Sequence, residues 1–252
     1  MLGYCNPLEQ FEIISLIPIF HFKNIYLNIT NSTIFTFLSL SLIILLFQFI
    51  NMNNKIVPTR WQSVLEETFI FSKTLVEKNI GTKGLQFFPF ILFLFSFLVI
   101  SNLIGMIPYS FTITSHIFVT FSLALTLFIG INIIAIKIHK LHFFGFFLPN
   151  GIHIALAPLL VPIELVSYLA RVFSLSIRLF ANMMSGHTLL KIIAGFAWTM
   201  LSFGGIWYFI QLVPLIIIIA VTVLELGIAI LQAYVFTILV CLYLNDAINL
   251  SH

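Results

Sequence analysis

Charge is what this chain has least of. Only 8% of its 252 residues are Asp, Glu, Lys or Arg, where a soluble globular domain carries about 25%. Together with 61% hydrophobic residues, that scarcity excludes a water-soluble fold and indicates a polytopic membrane protein. The net charge of +3 is too small to suggest a nucleic-acid partner. Cysteine is nearly missing as well: Cys5 and Cys241 make neither a disulfide framework nor a metal motif. The opening residues lack a basic stretch followed by an apolar core and a small-residue cleavage site. They also lack the Arg- and Ser-rich, acid-poor helix of an organelle import leader. Insertion at the site of synthesis, or prior removal of a leader, is therefore expected. No phosphate loop, nucleophile elbow or dinucleotide fingerprint occurs. The chain is expected to hold no nucleotide, to need no cofactor and to be no enzyme on its own.

Histidine does not repair those absences. His139 and His142 stand at i, i+3, but no Cys or carboxylate completes a metal set. His139 and His153 cannot share a haem-bearing helix, because Pro149-Asn-Gly151 breaks it. No metal site is expected.

What is present is apolar length. Residues 1–32 are mixed enough to stay at a surface, and Asn28 and Asn31 open chance matches to the glycosylation acceptor pattern. A first span is expected at 33–50. Residues 51–84 then carry Lys55, Arg60, Lys73, Lys78 and Lys83 with Glu66, Glu67 and Glu77. Trp61, Val64, Leu65, Thr68, Phe69, Phe71, Ser72, Leu75 and Val76 recur there with roughly helical period, which predicts an amphipathic interfacial helix over 58–80. Further spans are expected at 87–107 and 116–136. Two longer apolar stretches, 158–194 and 206–244, are separated by a region holding Gly195 and Gly204-Gly205. Each could reach roughly 55 Å against a hydrocarbon core of about 30 Å. They are either broken or steeply tilted as a hairpin; periodicity does not choose. The basic residues of 51–84 and 137–153 fall on one side, which the positive-inside rule makes cytoplasm-like. The N-terminus then lies opposite. No half-length internal repeat of the inverted-transporter kind is visible.

The polar residues of the long stretches are ordered. Glu164, Ser167, Arg171, Ser174, Arg178 and Asn182 are spaced 3, 4, 3, 4 and 4 apart, forming one helix face roughly 27 Å long. Such a face meets protein or water, not lipid. Arg178 carries the argument, because a guanidinium at bilayer depth costs roughly 2.5–3.5 kcal/mol on insertion scales and cannot shed its charge. Glu225 and Gln232 share a second face two turns apart, with Tyr243 and Asp246 beyond. His187 is the histidine at membrane depth nearest Arg178. An imidazole and a carboxyl in a buried site suit proton exchange near neutral pH. Simpler roles exist for some of these residues: Ser167 and Ser174 as helix–helix ties, Arg171 as a snorkelling end residue, Glu225 as a neutralising partner of Arg178.

The run Ser174-Leu-Ser-Ile-Arg-Leu-Phe-Ala-Asn-Met-Met-Ser-Gly-His187 resembles the signature of subunit a of the F-type ATP synthase. The likeness continues through Asn6-Pro-Leu-Glu-Gln-Phe11, Ser101-Asn-Leu-Ile-Gly-Met-Ile-Pro-Tyr109, Thr114-Ser-His116 and Leu231-Gln-Ala-Tyr-Val-Phe236. It implies an all-α polytopic membrane protein of about five membrane helices plus one amphipathic surface helix. The chain 1–252 would be a single membrane domain, with 1–32 at the surface and 158–248 as a long tilted helical hairpin facing the rotor. The resemblance also implies a proton-conducting stator subunit with two offset half-channels against the c-subunit ring. Other stator and peripheral-stalk subunits and the lipid bilayer would be its remaining partners. Carried over, Arg178 is the essential separator. Glu164 lies in the matrix-side half-channel, Asn182 and Gln232 are polar neighbours of the arginine, and Asn102 is on the inlet side. Many bacterial relatives have Glu where this chain has His187, and His where it has Glu225. That exchange preserves one imidazole and one carboxyl and points to the mitochondrial branch and its inner membrane. An autonomous ion transporter, or a structural subunit of a respiratory complex, stays open beside it.

Overall fold

The computed structural model describes residues 8–22, 25–52, 59–107, 110–140, 157–205 and 207–249. Most of these are helical. Among them five helices are long and apolar enough to cross a membrane, so the chain is an all-α polytopic membrane protein with one small β-hairpin added. The Pro149-Asn-Gly151 turn, His142, His153, Lys55 and the start of the Asn6 motif lie outside the described residues.

The hairpin was not expected from the sequence. Strands β1 (Ser15–Phe22) and β2 (Ile25–Thr30) pair antiparallel, with irregular register on either side of Pro18. Proline has no N–H to give the ladder, so such a shift is where it fits. Helix α1 (Asn31–Met52) follows without a linker. The Thr33 hydroxyl accepts from Thr30 N–H at 3.0 Å, satisfying one of the donors that a helix start leaves open. Asn31 is a structural tie: its Nδ2 donates to the Glu12 carbonyl at 3.0 Å and its Oδ1 accepts from Ser32 N–H at 2.9 Å.

Helix α2 (Arg60–Ile80) matches the expected amphipathic segment. It buries Ser72, Leu75, Val76 and Ile80 and leaves its charged side open. Gly81 ends it at φ 81°, a backbone state that suits glycine. Helices α3 (Phe88–Gly105) and α4 (Ile117–His139) occupy the second and third expected spans. Helix α5 (Ala157–Phe203) is 47 residues long and keeps Pro162 inside it. The four-residue α6 (Trp207–Ile210) and then α7 (Leu212–Ile248), 37 residues, complete the chain. Gly195 does not interrupt α5. The break comes at Gly204 and Gly205, whose φ values of 69° and 66° are strained for residues with a Cβ. At 1.5 Å per residue α5 rises about 70 Å and α7 about 55 Å. Against a core of about 30 Å, each is longer than a perpendicular crossing needs.

The chain divides into two compact units. The first comprises Met1–Gln48, Phe97–His116 and Phe180–Ala233; the second Phe49–Ser96, Ile117–Leu179 and Tyr234–His252. Within each unit a stretch of α5 runs antiparallel to a stretch of α7. Asn182 meets Gln232 and His187 meets Glu225 in the first; Arg171 meets Asp246 in the second. Small residues permit the approach of backbones: Ala229 and Ala233 in the first unit and Ala124 and Ala135 in the second are almost completely buried. Apolar side chains exposed along α5 and α7, among them Val166, Phe173, Val223 and Leu231, belong against lipid or partner subunits.

Candidate functional site

In the first unit, five of the expected residues are held close to one another. Asn102 on α3 is fully buried. Its Nδ2 donates to the Ala229 carbonyl of α7 at 3.0 Å, and its Oδ1 accepts from the Thr114 hydroxyl at 3.0 Å. A buried amide with both ends engaged ties two helices and a link together. Asn182 on α5 donates through Nδ2 to Gln232 Oε1 at 3.0 Å. The Gln232 Nε2 has no hydrogen-bond partner among the described residues.

His187 and Glu225 meet farther along this antiparallel pair, five residues on from Asn182 and seven back from Gln232. His187 Nδ1 lies 3.7 Å from Glu225 Oε1, and their side chains are 14% and 4% exposed. Neither Glu225 carboxyl oxygen has a hydrogen-bond partner among the described residues. At that distance the pair has not closed to a hydrogen bond. Gly186 makes it possible: a Cβ there would stand 2.8 Å from the Glu225 carboxyl carbon. On the other edge of the ring, His187 Nε2 lies 3.3 Å from the Thr112 hydroxyl. Phe11 meets the ring edge-on at 6.5 Å. His116 stacks on Phe111 at 5.0 Å, and burial lowers its pKa from the ordinary 6.5. It is therefore neutral at pH 7 and adds no charge to this cluster.

The second unit holds both arginines of α5. Ser167, Arg171, Ser174 and Arg178 of α5 line a cavity of about 280 Å³ with Tyr243 and Leu239 of α7. Arg171 is compensated there: its Nη1 lies 3.6 Å from Asp246 Oδ2. Its guanidinium carbon sits 5.9 Å from the Tyr168 ring centroid and 5.8 Å from that of Tyr243. Tyr168 is anchored in turn, donating to Asn132 Oδ1 at 2.7 Å. Arg178 is exposed in the isolated chain and has no carboxylate within ion-pair distance among the described residues of this unit. Glu164 stands half-buried one turn before Tyr168.

The polar stripe expected on α5 is therefore divided. Glu164 to Arg178 lie in the unit with the cavity, and Asn182 lies in the unit with His187. Glu225 has His187 as its ion-pair partner, which differs from the simpler expectation of a tie to Arg178. Sequence reasoning assigned no role to Thr112, Thr114, Gly186, Tyr168 or Asn132. The signal for the threonines was weak but present: Phe111-Thr-Ile-Thr-Ser-His116 is an uncharged link whose polar residues are nearly all buried.

Five apolar helices, a buried carboxyl beside an imidazole, and two guanidinium groups lining a cavity define a polytopic membrane protein with ionisable groups at bilayer depth. The chain belongs to the ATP synthase A chain family, whose model matches residues 33–245. It is similar to ATP synthase subunit a of Marchantia polymorpha, 56% identical over 250 residues, covering 98% of this chain and 99% of the relative. It is 52% identical to ATP synthase subunit a of Chondrus crispus over 245 residues, covering 97% and 96%. For ATP synthase subunit a of Brassica napus the identity is 54% over 254 residues, covering 97% and 96%. The chain is thus a membrane-sector subunit of the ATP synthase type, spanning the bilayer several times.

Proposed function

We propose that this chain is the proton-conducting stator subunit of the synthase, working against a ring of c subunits in the mitochondrial inner membrane. Its N-terminus would face the intermembrane side. The observation that carries this reading is Arg178: a permanent cation lining a cavity, without a carboxylate among the described residues of its own unit to neutralise it. A guanidinium left alone in hydrocarbon is costly, so the membrane partner has to supply the anion. An acidic side chain on a rotating c subunit meets that need.

Protons enter through a polar inlet formed by Glu225, His187 and Asn102, with Gln232 and Asn182 beside it, and pass to the c-subunit carboxyl. Once protonated and neutral, that carboxyl moves through lipid without the desolvation cost that the ionised form would pay. It loses its proton near Glu164 after nearly a full turn. Arg178 holds the ionised carboxylate between the two paths and repels protons, which prevents a direct leak. Each charge crossing the membrane delivers about 2.3 kcal/mol per 100 mV, and the rotor carries that energy to the site of ATP synthesis elsewhere in the complex. Arg178→Gln in the assembled complex is expected to abolish ATP-driven proton pumping while the complex stays intact. Normal pumping would refute the assignment of the separator.

A further inference from the structure

We propose that Thr112 is a positioning residue for proton transfer, selecting the ring tautomer of His187 that presents its N–H to Glu225. The inference rests on the inlet reading given above for His187 and Glu225.

The His187 ring is bracketed on opposite edges. Nδ1 faces the Glu225 carboxyl at 3.7 Å, and Nε2 faces the Thr112 hydroxyl at 3.3 Å. A neutral imidazole has one N–H and one acceptor nitrogen, and the group bonded to one nitrogen decides which state the other takes. When Thr112 donates its O–H to Nε2, the ring proton sits on Nδ1, facing the carboxyl. When the ring is doubly protonated, the same hydroxyl turns and accepts from Nε2–H. A hydroxyl serves both states because it carries one donor and two acceptor lone pairs. A methyl group in its place serves neither, and leaves Nε2 unsatisfied in a site that is mostly buried.

The rest of the link holds Thr112 in that position. Thr112 is 4% exposed. Its methyl group packs on the end of α3, where a Cβ on Gly105 would come within 2.6 Å of Thr112 Cγ2. Its carbonyl accepts from the Ser115 hydroxyl at 2.7 Å, and Thr114 two residues on is tied to Asn102. Gly186 brings the carboxyl close from the other side. Backbone and side chain therefore leave the hydroxyl aimed at one ring nitrogen while the carboxyl waits at the other. This is the arrangement by which an outer hydrogen bond orients a working histidine.

The test separates the hydroxyl from the methyl. Thr112→Val keeps the shape and removes the O–H; Thr112→Ser keeps the O–H and removes the methyl. In the assembled synthase in membrane vesicles, ATP-driven proton pumping per complex is expected to fall about tenfold in Thr112→Val, the size of one lost buried hydrogen bond. Thr112→Ser is expected to keep most of the rate. Should the valine variant fail to assemble, Thr112→Ala against Thr112→Ser isolates the same hydroxyl in a smaller side chain, with the same tenfold difference expected. Wild-type pumping in Thr112→Val, or equal losses in the hydroxyl-bearing and hydroxyl-free variants, would overturn the proposal. His187→Ala on the same background distinguishes the two levels. If it stops pumping while Thr112→Val does not, only the role of Thr112 falls. If both pump normally, the inlet reading falls with it.

Discussion

Gly186→Ala adds one methyl group at the place where α5 and Glu225 come closest. The new Cβ would stand 2.8 Å from the Glu225 carboxyl carbon and 3.1 Å from its Cγ, with the Oε1 closer still. Ordinary carbon contacts lie at about 3.5–4.0 Å, so the carboxyl has to retreat by about 1 Å. Because the displaced atoms end a flexible side chain, the stability loss should sit at the lower end of the 1–3 kcal/mol typical of overpacking, at about 1 kcal/mol. The functional loss should be larger, because a displacement of about 1 Å in a reacting group can cost on the order of a hundredfold in rate. The assay is ATP-driven proton pumping in membrane vesicles, normalised to the amount of intact complex on native gels. Gly195→Ala supplies the control: it is also inside α5, but nothing lies within 4 Å of its added Cβ. Alanine there should gain about 0.5–1 kcal/mol of helix stability and leave pumping unchanged. Wild-type pumping in Gly186→Ala with full assembly would refute the claim that the carboxyl must sit where the structure places it.

Asn102→Ala removes both ends of a buried amide that joins α3, α7 and the link. The expected loss is about 1–2 kcal/mol, the size of two side-chain hydrogen bonds in a membrane protein. It would be read as a lower unfolding temperature of the detergent-solubilised complex; an unchanged midpoint would contradict the hydrogen-bond assignment. Arg171→Lys keeps the charge but loses the planar group set beside Tyr168 and Tyr243, so it should behave as a disruptive change costing about 1 kcal/mol. A double-mutant cycle with Tyr243→Leu checks this. A coupling energy indistinguishable from zero would contradict the guanidinium–ring contact.

The break between the long helices shows how far local rules reach. Gly195 and the Gly204-Gly205 pair were equal candidates in the sequence. A lone glycine is tolerated in a helix at a cost of about 1 kcal/mol, whereas two consecutive positive φ values end it. The backbone, not the residue type, made the choice. The hairpin over 15–30 was illegible for a different reason. Its apolar residues do not alternate cleanly, and a proline inside the run disfavours a strand.

Apolar run length and scarce charge determined the membrane class and the span positions, because the hydrocarbon core has a fixed thickness and rejects unpaired polar groups. They also singled out Arg178, since guanidinium cannot be neutralised by losing a proton. Helical spacing determined which residues share a face. Only tertiary structure decided what each face meets, since periodicity describes one helix and a pair requires two. It gave Glu225 to His187, Arg171 to Asp246 and Asn182 to Gln232. It also brought Thr112, 75 residues away in the chain, to the second nitrogen of the His187 ring.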